Sequence, residues 1–238
     1  MSKAECKVIG IICARGGSKG LLRKNLKTLD GETLISRVVR HAIEADCIDK
    51  IVISTDDIDI AEAARQSGAE VPFMRPTDLA GDLTTTEDTI KHALLQCESL
   101  MKTKFDIAIF LTATDVFRSP EWIRQAVELL KKRPELESVF AGHKTHKNFW
   151  EKKEDGSWQR LRPWMATYSS RQIRRTIVRE DTGLACASRA WLWREGRRIG
   201  DNIEIIVNDD VFTGIDIHHQ EDLDLAQAAL DIRKGNKE

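Results

Sequence analysis

Short apolar runs alternate with longer amphipathic stretches along most of this chain. KVIGIIC (7–13), IVIST (51–55), FDIAIFL (105–111) and SVFAG (138–142) are the short runs. Runs of that length predict strands buried on both faces. Between them, apolar residues recur at helical spacing. Residues 33–45 place Leu34, Val38 and Ala42 on one face, with Thr33 as the N-cap. Residues 57–67 predict a second helix, closed by Gly68. Thr85 or Thr86 caps a third, running to about Met101, where Ile90, Ala93, Leu94 and Cys97 share a face. Ser119-Pro120 opens a fourth, to about Lys132, with proline at its first position. EVPFMRP (70–76) reads as a short strand entering a turn. LACASRA (184–190), IEIIV (203–207) and VFTGIDI (211–217) return to the core, and 220–233 form a last helix.

Repeated strand–helix alternation predicts an α/β fold, a mostly parallel sheet covered by helices on both faces. Such sheets bind ligands beyond the carboxyl ends of their strands. Loops 14–25, 55–57 and 112–118 are therefore expected on one rim. Residues 143–182 break the rhythm, being polar and cationic yet holding Trp150, Trp158 and Trp164. That is too aromatic for a disordered linker. It predicts an excursion with hairpin character, closing over the site or packing on another subunit, within a single domain spanning 1–238.

Charge narrows the partners. Thirty-seven basic and 38 acidic residues leave a formal net charge of -1, which argues against a general nucleic-acid binder. The apolar runs are far shorter than a membrane span, and MSKAECKVIG has no signal-peptide core. Cys6, Cys13, Cys47, Cys97 and Cys186 are odd in number and widely spaced. Reduced thiols in a cytoplasm are the expectation, rather than disulfides or a zinc knuckle.

Against that neutral background, ICARGGSKGLLRKN (12–25) concentrates Arg15, Lys19, Arg23 and Lys24 around Gly16, Gly17 and Gly20, with no acid. Successive amides in a glycine turn make a nest for an anion, and Ser18 and Asn25 add neutral hydrogen-bonding groups. The spacing is neither that of a P-loop nor that of a dinucleotide fingerprint. On residues alone, a phosphate cradle competes with a solvated basic turn.

The stretch ARGGSKGLLRKNLK resembles the signature A-R-x-G-S-K-G-x-P-x-K-N of the cytidylyltransferases that activate sialic acid and related keto-sugar acids. The resemblance continues through ISTDD (53–57), RPTDLAGDLTTT (75–86), RQ (171–172) and IDIHHQEDLDLA (215–226). It implies a three-layer α/β/α nucleotidyltransferase fold of the nucleotide-diphospho-sugar transferase kind, and a homodimer built through the excursion. The implied reaction joins CTP and a sugar acid, giving a CMP-sugar acid and pyrophosphate. Arg15, Gly16, Gly17, Ser18, Lys24 and Asn25 fall on its triphosphate positions. Arg75, Asp82, Thr84 and Thr86 fall around cytosine and ribose. Thr112, Thr114, Arg171, Gln172 and Arg179 fall on the sugar-acid side, where an arginine grips a carboxylate in bidentate fashion. Lys24, Arg15 and Asp216 are the implied catalytic groups, Lys24 at the α-phosphate.

Three departures matter. LTATDVFR (111–118) stands for L-Q-P-T-S-P-L-R, so Thr112 replaces a glutamine and Asp115 adds a carboxylate. IDIHHQEDL places His218 where relatives carry a second metal-binding aspartate, and REDTGLACA lacks an aromatic near the sugar. On a strand Asp216 and His218 would share a face. With Asp115 they form the expected metal set, for Mg²⁺ or, given an imidazole, Mn²⁺. These changes leave open a different sugar acid or nucleotide, or a homologue that binds without turnover.

Overall fold

The computed structural model describes residues 5–167, 170, 173 and 175–235. Eleven strands are present among them: β1 (Val8–Cys13), β2 (Thr28–Leu29), β3 (Glu32–Thr33), β4 (Lys50–Ser54), β5 (Ile107–Leu111), β6 (Ser138–Thr145), β7 (Trp150–Lys152), β8 (Trp158–Arg160), β9 (Ile177–Glu180), β10 (Cys186–Arg189) and β11 (Ile203–Asn208). The helices are α1 (Leu34–Glu44), α2 (Ile58–Gln66), α3 (Thr86–Met101), α4 (Pro120–Lys132), α5 (Ala190–Glu195) and α6 (Gln220–Gly235). Helix starts follow local chemistry. Thr33 Oγ1 accepts from the Ser36 amide, Asp57 from Asp59 and Ile60, Thr85 from Asp88, and Ser119 from Glu121. Thr85 is thus the cap of α3, leaving Thr86 as its first residue.

The main sheet has seven strands in the order β11-β6-β10-β5-β1-β4, with β9 paired to the far part of β6. β1 is parallel to both β4 and β5, and β11 is parallel to β6. β10 runs antiparallel between β5 and β6, and β9 is antiparallel to β6. Strand side chains divide by period two. Val8, Ile12, Ile53, Ile107, Ile109, Leu111, Val139 and Ala141 pack beneath α1, α2, α4 and α6. Ile9, Ile11, Val52, Ala108, Phe110 and Phe140 pack with α3 and α5, including the fully buried Trp193. Two hydrophobic layers around one sheet make the three-layer α/β/α arrangement.

Several expectations are corrected. EVPFMRP is no strand: it keeps a single bridge, Glu70 to Val52, before Arg75 donates its amide to the Thr55 carbonyl. VFTGIDI supplies a 3-10 turn (Val211–Gly214) and an irregular segment rather than a strand. Asp216 and His218 therefore do not lie on a strand. α5 is an additional short helix. The excursion does contain a hairpin, β7 against β8, with the Arg160 guanidinium 4.3 Å from the Trp150 ring centroid. Ile177–Glu180, at its end, rejoins the main sheet as β9.

Candidate active site

The glycine loop leaves the carboxyl end of β1 and is held on both sides. The Ala14 amide donates to the Ser54 carbonyl (3.0 Å), and the Gly16 amide donates to Asp56 Oδ1 (3.0 Å). Asn25 is buried, and its side-chain amide donates to the Arg15 carbonyl (3.0 Å), so it shapes the loop from within. Arg23 adopts φ 54° and pairs with Asp59, turning away at the start of α2. What remains is an open cleft of about 380 Å³ lined by Arg15, Ser18, Lys24, Thr112, Thr114 and His218, among others. Loops after β1 and β5 thus share one rim, and Asp56 brings in the loop after β4, as expected. Gly17 faces open space, whereas Gly20 touches the opposite wall. A Cβ at residue 20 would lie 2.6 Å from the His218 carbonyl oxygen, so no larger residue fits there without movement.

Lys24 sits at the base of this cleft. Its Nζ donates to the Ile217 carbonyl (2.7 Å). Burial draws its pKa below the ordinary lysine value, against the opposing pull of Asp216. An ammonium has three hydrogens, so two remain for a ligand.

A second recess adjoins the first across Cys13 and Arg15, lined also by Arg75, Asp82, Thr84 and Thr86. Arg75 is buried, with Nε donating to Ser54 Oγ (3.0 Å) and another nitrogen to the Ser54 carbonyl. Burial lowers its pKa from the usual arginine value. Thr84 Oγ1 donates to the Asp78 carbonyl (3.2 Å). Asp82 joins the two recesses: Oδ1 lies 3.0 Å from Arg15 and Oδ2 2.5 Å from Lys19. Those contacts hold its carboxyl below the usual range, Lys19 most strongly.

On the far side, Thr112 Oγ1 donates to Asp115 Oδ2. Burial pushes the Asp115 carboxyl up to about 6, opposed by the nearby Arg118. The Arg118 guanidinium is buried and donates to the carbonyls of Thr112, Gly183 and Leu184, tying this loop to the start of β10. Gly183 makes room for the carboxylate, because a Cβ there would lie 1.9 Å from Asp115 Oδ2. Thr114 lines the cleft, and its carbonyl accepts from the Ile217 amide (3.3 Å). Arg179 approaches from β9 but is gripped by Asp181 through two hydrogen bonds, 2.7 and 2.9 Å. The hydrogen bond to Asp181 raises the Arg179 pKa above the ordinary arginine value, with smaller pulls from Asp115 and Asp216. Arg171 and Gln172 lie outside the described residues.

Asp216 and His218 do meet, Nε2 to Oδ2 at 2.9 Å. The other oxygen, Asp216 Oδ1, is buried with no hydrogen-bond partner. Among the described residues, no three His, Cys, Asp or Glu side chains form a group fit to hold a metal, so Asp115 does not complete a set with that pair. One orphaned carboxylate oxygen near this cation-lined cleft still fits Mg²⁺, which takes one or two carboxylates and completes its shell with phosphate and water.

A family model described as cytidylyltransferase matches residues 9–184. The chain belongs to the cytidylyltransferase family. A CMP-N,N'-diacetyllegionaminic acid synthase from Legionella pneumophila is 40% identical over 125 residues, 52% of this chain and 53% of the relative. A pseudaminic acid cytidylyltransferase from Campylobacter jejuni is 34% identical over 124 residues, 51% of this chain and 52% of the relative. In these alignments, the chain spans about half the length of the curated relatives it matches. A CMP:2-keto-3-deoxy-manno-octonic acid synthetase solved with CTP superposes with a TM-score of 0.69 at 16% identity, over 95% of this chain and 99% of the other. This cytidylyltransferase therefore has the nucleotidyltransferase fold.

Three residues that shape this side of the structure drew no role from the sequence. Asp181 lies two positions beyond Arg179, a spacing that puts both on one side of an extended chain. Arg118 and Gly183 act through contacts 65 residues apart, which no local pattern announces.

Proposed function

We propose that this chain activates a keto-sugar acid of the nonulosonic class, converting it with CTP into a CMP-sugar acid and pyrophosphate. The observation that carries the reading is Lys24, a partly buried ammonium anchored on the Ile217 carbonyl, beside Asp216 and under a glycine loop. The named activities of the two relatives support the sugar class.

In this reading the anomeric hydroxyl attacks the α-phosphorus, and the bond to the departing pyrophosphate breaks. Lys24 directs its two free hydrogens at the α-phosphate, where negative charge redistributes in the transition state. Arg15 and Lys19 face the β- and γ-phosphates from the loop. Thr84 and Thr86 border the ribose, and Arg75, spent on Ser54, shapes the base recess from behind. Thr112, Thr114, Arg171, Gln172 and Arg179 address the sugar acid. Mg²⁺, or Mn²⁺ in its place, would be held by Asp216, with His218 orienting that carboxylate, and would neutralise phosphate charge. Asp115 borders the same space without completing the metal group.

A homodimer through the excursion fits the exposed Phe149, Trp150, Trp158 and Leu161. The five free cysteines fit a cytoplasmic setting, and no helix among the described residues is long and apolar enough to cross a membrane. The test is a pyrophosphate-release screen pairing CTP, UTP, GTP and ATP with a panel of sugar acids, in Mg²⁺ and in Mn²⁺. Release is expected with CTP and a nonulosonic acid. Release with another nucleotide alone, or CTP binding without any turnover, would overturn the reading.

A further inference from the structure

The loop cations assigned to the triphosphate already hold an anion, and it belongs to the protein. Asp82 spans Arg15 and Lys19 with its two oxygens, 3.0 and 2.5 Å away. Arg15 adds a hydrogen bond to the Gly81 carbonyl (3.2 Å). Two cations around one pair of carboxylate oxygens reproduce the way a terminal phosphate would be held.

The geometry of the donor segment makes this contact reversible. Asp82 is at the tip of a four-residue turn closed by the Thr84 amide on the Gly81 carbonyl (3.3 Å). The next residue, Leu83, is 97% exposed. Nothing buried depends on Asp82 staying in place. Exposed ion pairs are individually weak and exchange readily for a better anion. A phosphate chain carries more charge than one carboxylate and offers more acceptor oxygens, so it wins the cations while bound. Pyrophosphate cut loose from the nucleotide has lost the base and ribose contacts that kept it there. The tethered carboxylate then competes at high effective concentration.

We propose that Asp82 is a built-in competitor for the pyrophosphate half of the site, exchanging places with the β- and γ-phosphates and hastening release of the cleaved product. This rests on the reading that the cleft holds CTP and releases pyrophosphate. Asp82 acts through Arg15 and Lys19 and is a positioning residue, not a catalytic one.

The competition has a distinctive sign. Removing the carboxylate should tighten every ligand that uses the two cations and should not tighten a ligand that does not. A residue needed merely to hold the loop would do the reverse.

The experiment compares wild type, Asp82→Asn, Asp82→Ala and Asp82→Glu for binding of CTP, pyrophosphate and cytidine, with stopped-flow release of pyrophosphate. Asp82→Asn and Asp82→Ala are expected to bind pyrophosphate about five- to tenfold more tightly and release it correspondingly more slowly, as the loss of two exposed pairs allows. Cytidine, which lacks the phosphates that meet the two cations, should not tighten with pyrophosphate, Asp82→Glu should stay near wild type, and the difference should shrink as salt rises. Weaker or unchanged pyrophosphate binding in both neutral variants overturns the inference, as does an equal change for cytidine. If wild type binds neither CTP nor pyrophosphate, the proposed function falls and this inference falls with it. If wild type binds both and neither neutral variant tightens, only this inference falls.

Discussion

Two regions of the molecule, the glycine loop and the end of β9, each pair an arginine with an aspartate, and the pairs differ in what surrounds them. At the glycine loop, Arg15 and Lys19 meet an Asp82 side chain that is 47% exposed. At the end of β9, Arg179, itself 48% exposed, meets an Asp181 side chain that is 10% exposed, and the field of Asp181 reaches the raised Asp115 carboxyl beside Arg118. Water screens the first pair and leaves it free to exchange. Removing one member of the second group strands a charge or a set of carbonyls in low dielectric. Similar side chains thus make a replaceable contact at one end and a fixed support at the other.

The sharpest way to break the comparison is at the buried end. Arg118→Ala would leave three carbonyls without their donor and Asp115 without its nearest cation. A loss of about 3–5 kcal/mol in folding stability is expected, read by urea denaturation. A change below 1 kcal/mol would show that the far wall is not fixed in the way described.

Lys24→Ala comes next and acts on rate instead of fold. It is expected to lower kcat about 10²–10³-fold, as for loss of one oxyanion donor, with a smaller change in the KM for CTP. An effect confined to KM would reduce Lys24 to a binding contact.

Asp115→Asn sharpens the role of burial. Its carboxyl is pushed up to about 6 from 3.8, so the folded protein holds the proton more tightly than the unfolded chain does. The acid form therefore stabilises the fold below about pH 4. That contribution is lost as pH rises through about 6. Above pH 7 the ionised carboxylate is a cost, and Asp115→Asn should gain up to about 2 kcal/mol of stability there and nothing near pH 3.5. Thermal melts across that range supply the check. A variant less stable than wild type at pH 7.5 would mean that the link to Arg118 outweighs burial.

The smallest effect belongs to the exposed end. Lys19→Ala should change stability by less than about 0.5 kcal/mol while weakening CTP binding several-fold. Calorimetry with and without nucleotide separates the two.

How far the sequence disclosed this molecule follows the range of its interactions. Thr33 and Ser119 cap helices through bonds within three residues, and both were legible. So was the position of the glycine loop, which follows a buried strand and lines a cleft on the expected rim. The insertion of β10 between β5 and β6 was not, since Ala187 must choose Ile109 and Val139 as neighbours across 78 and 48 residues. LACASRA announces a core strand without announcing its direction. VFTGIDI has the apolar content of a strand, yet Asp210 caps a 3-10 turn there through the Phe212 amide. Asn25 and Arg75 were found as site positions, but their side chains face the loop and Ser54, because which neighbour satisfies a buried donor is settled only in three dimensions.

Gly20 bears on how wide the cleft can be. The phosphate loop and the segment carrying Asp216 are spaced by the carbon that residue 20 lacks, with the His218 oxygen 2.6 Å from where it would stand. Replacing Gly20 by Ala and then Ser inserts a wedge of known thickness between Lys24's loop and the segment carrying Asp216. Each step would displace those two walls by a few tenths of an ångström or more, without altering any charged group. Such a series would serve as a ruler, reporting how steeply the proposed nucleotidyl transfer falls with the distance between Lys24 and Asp216.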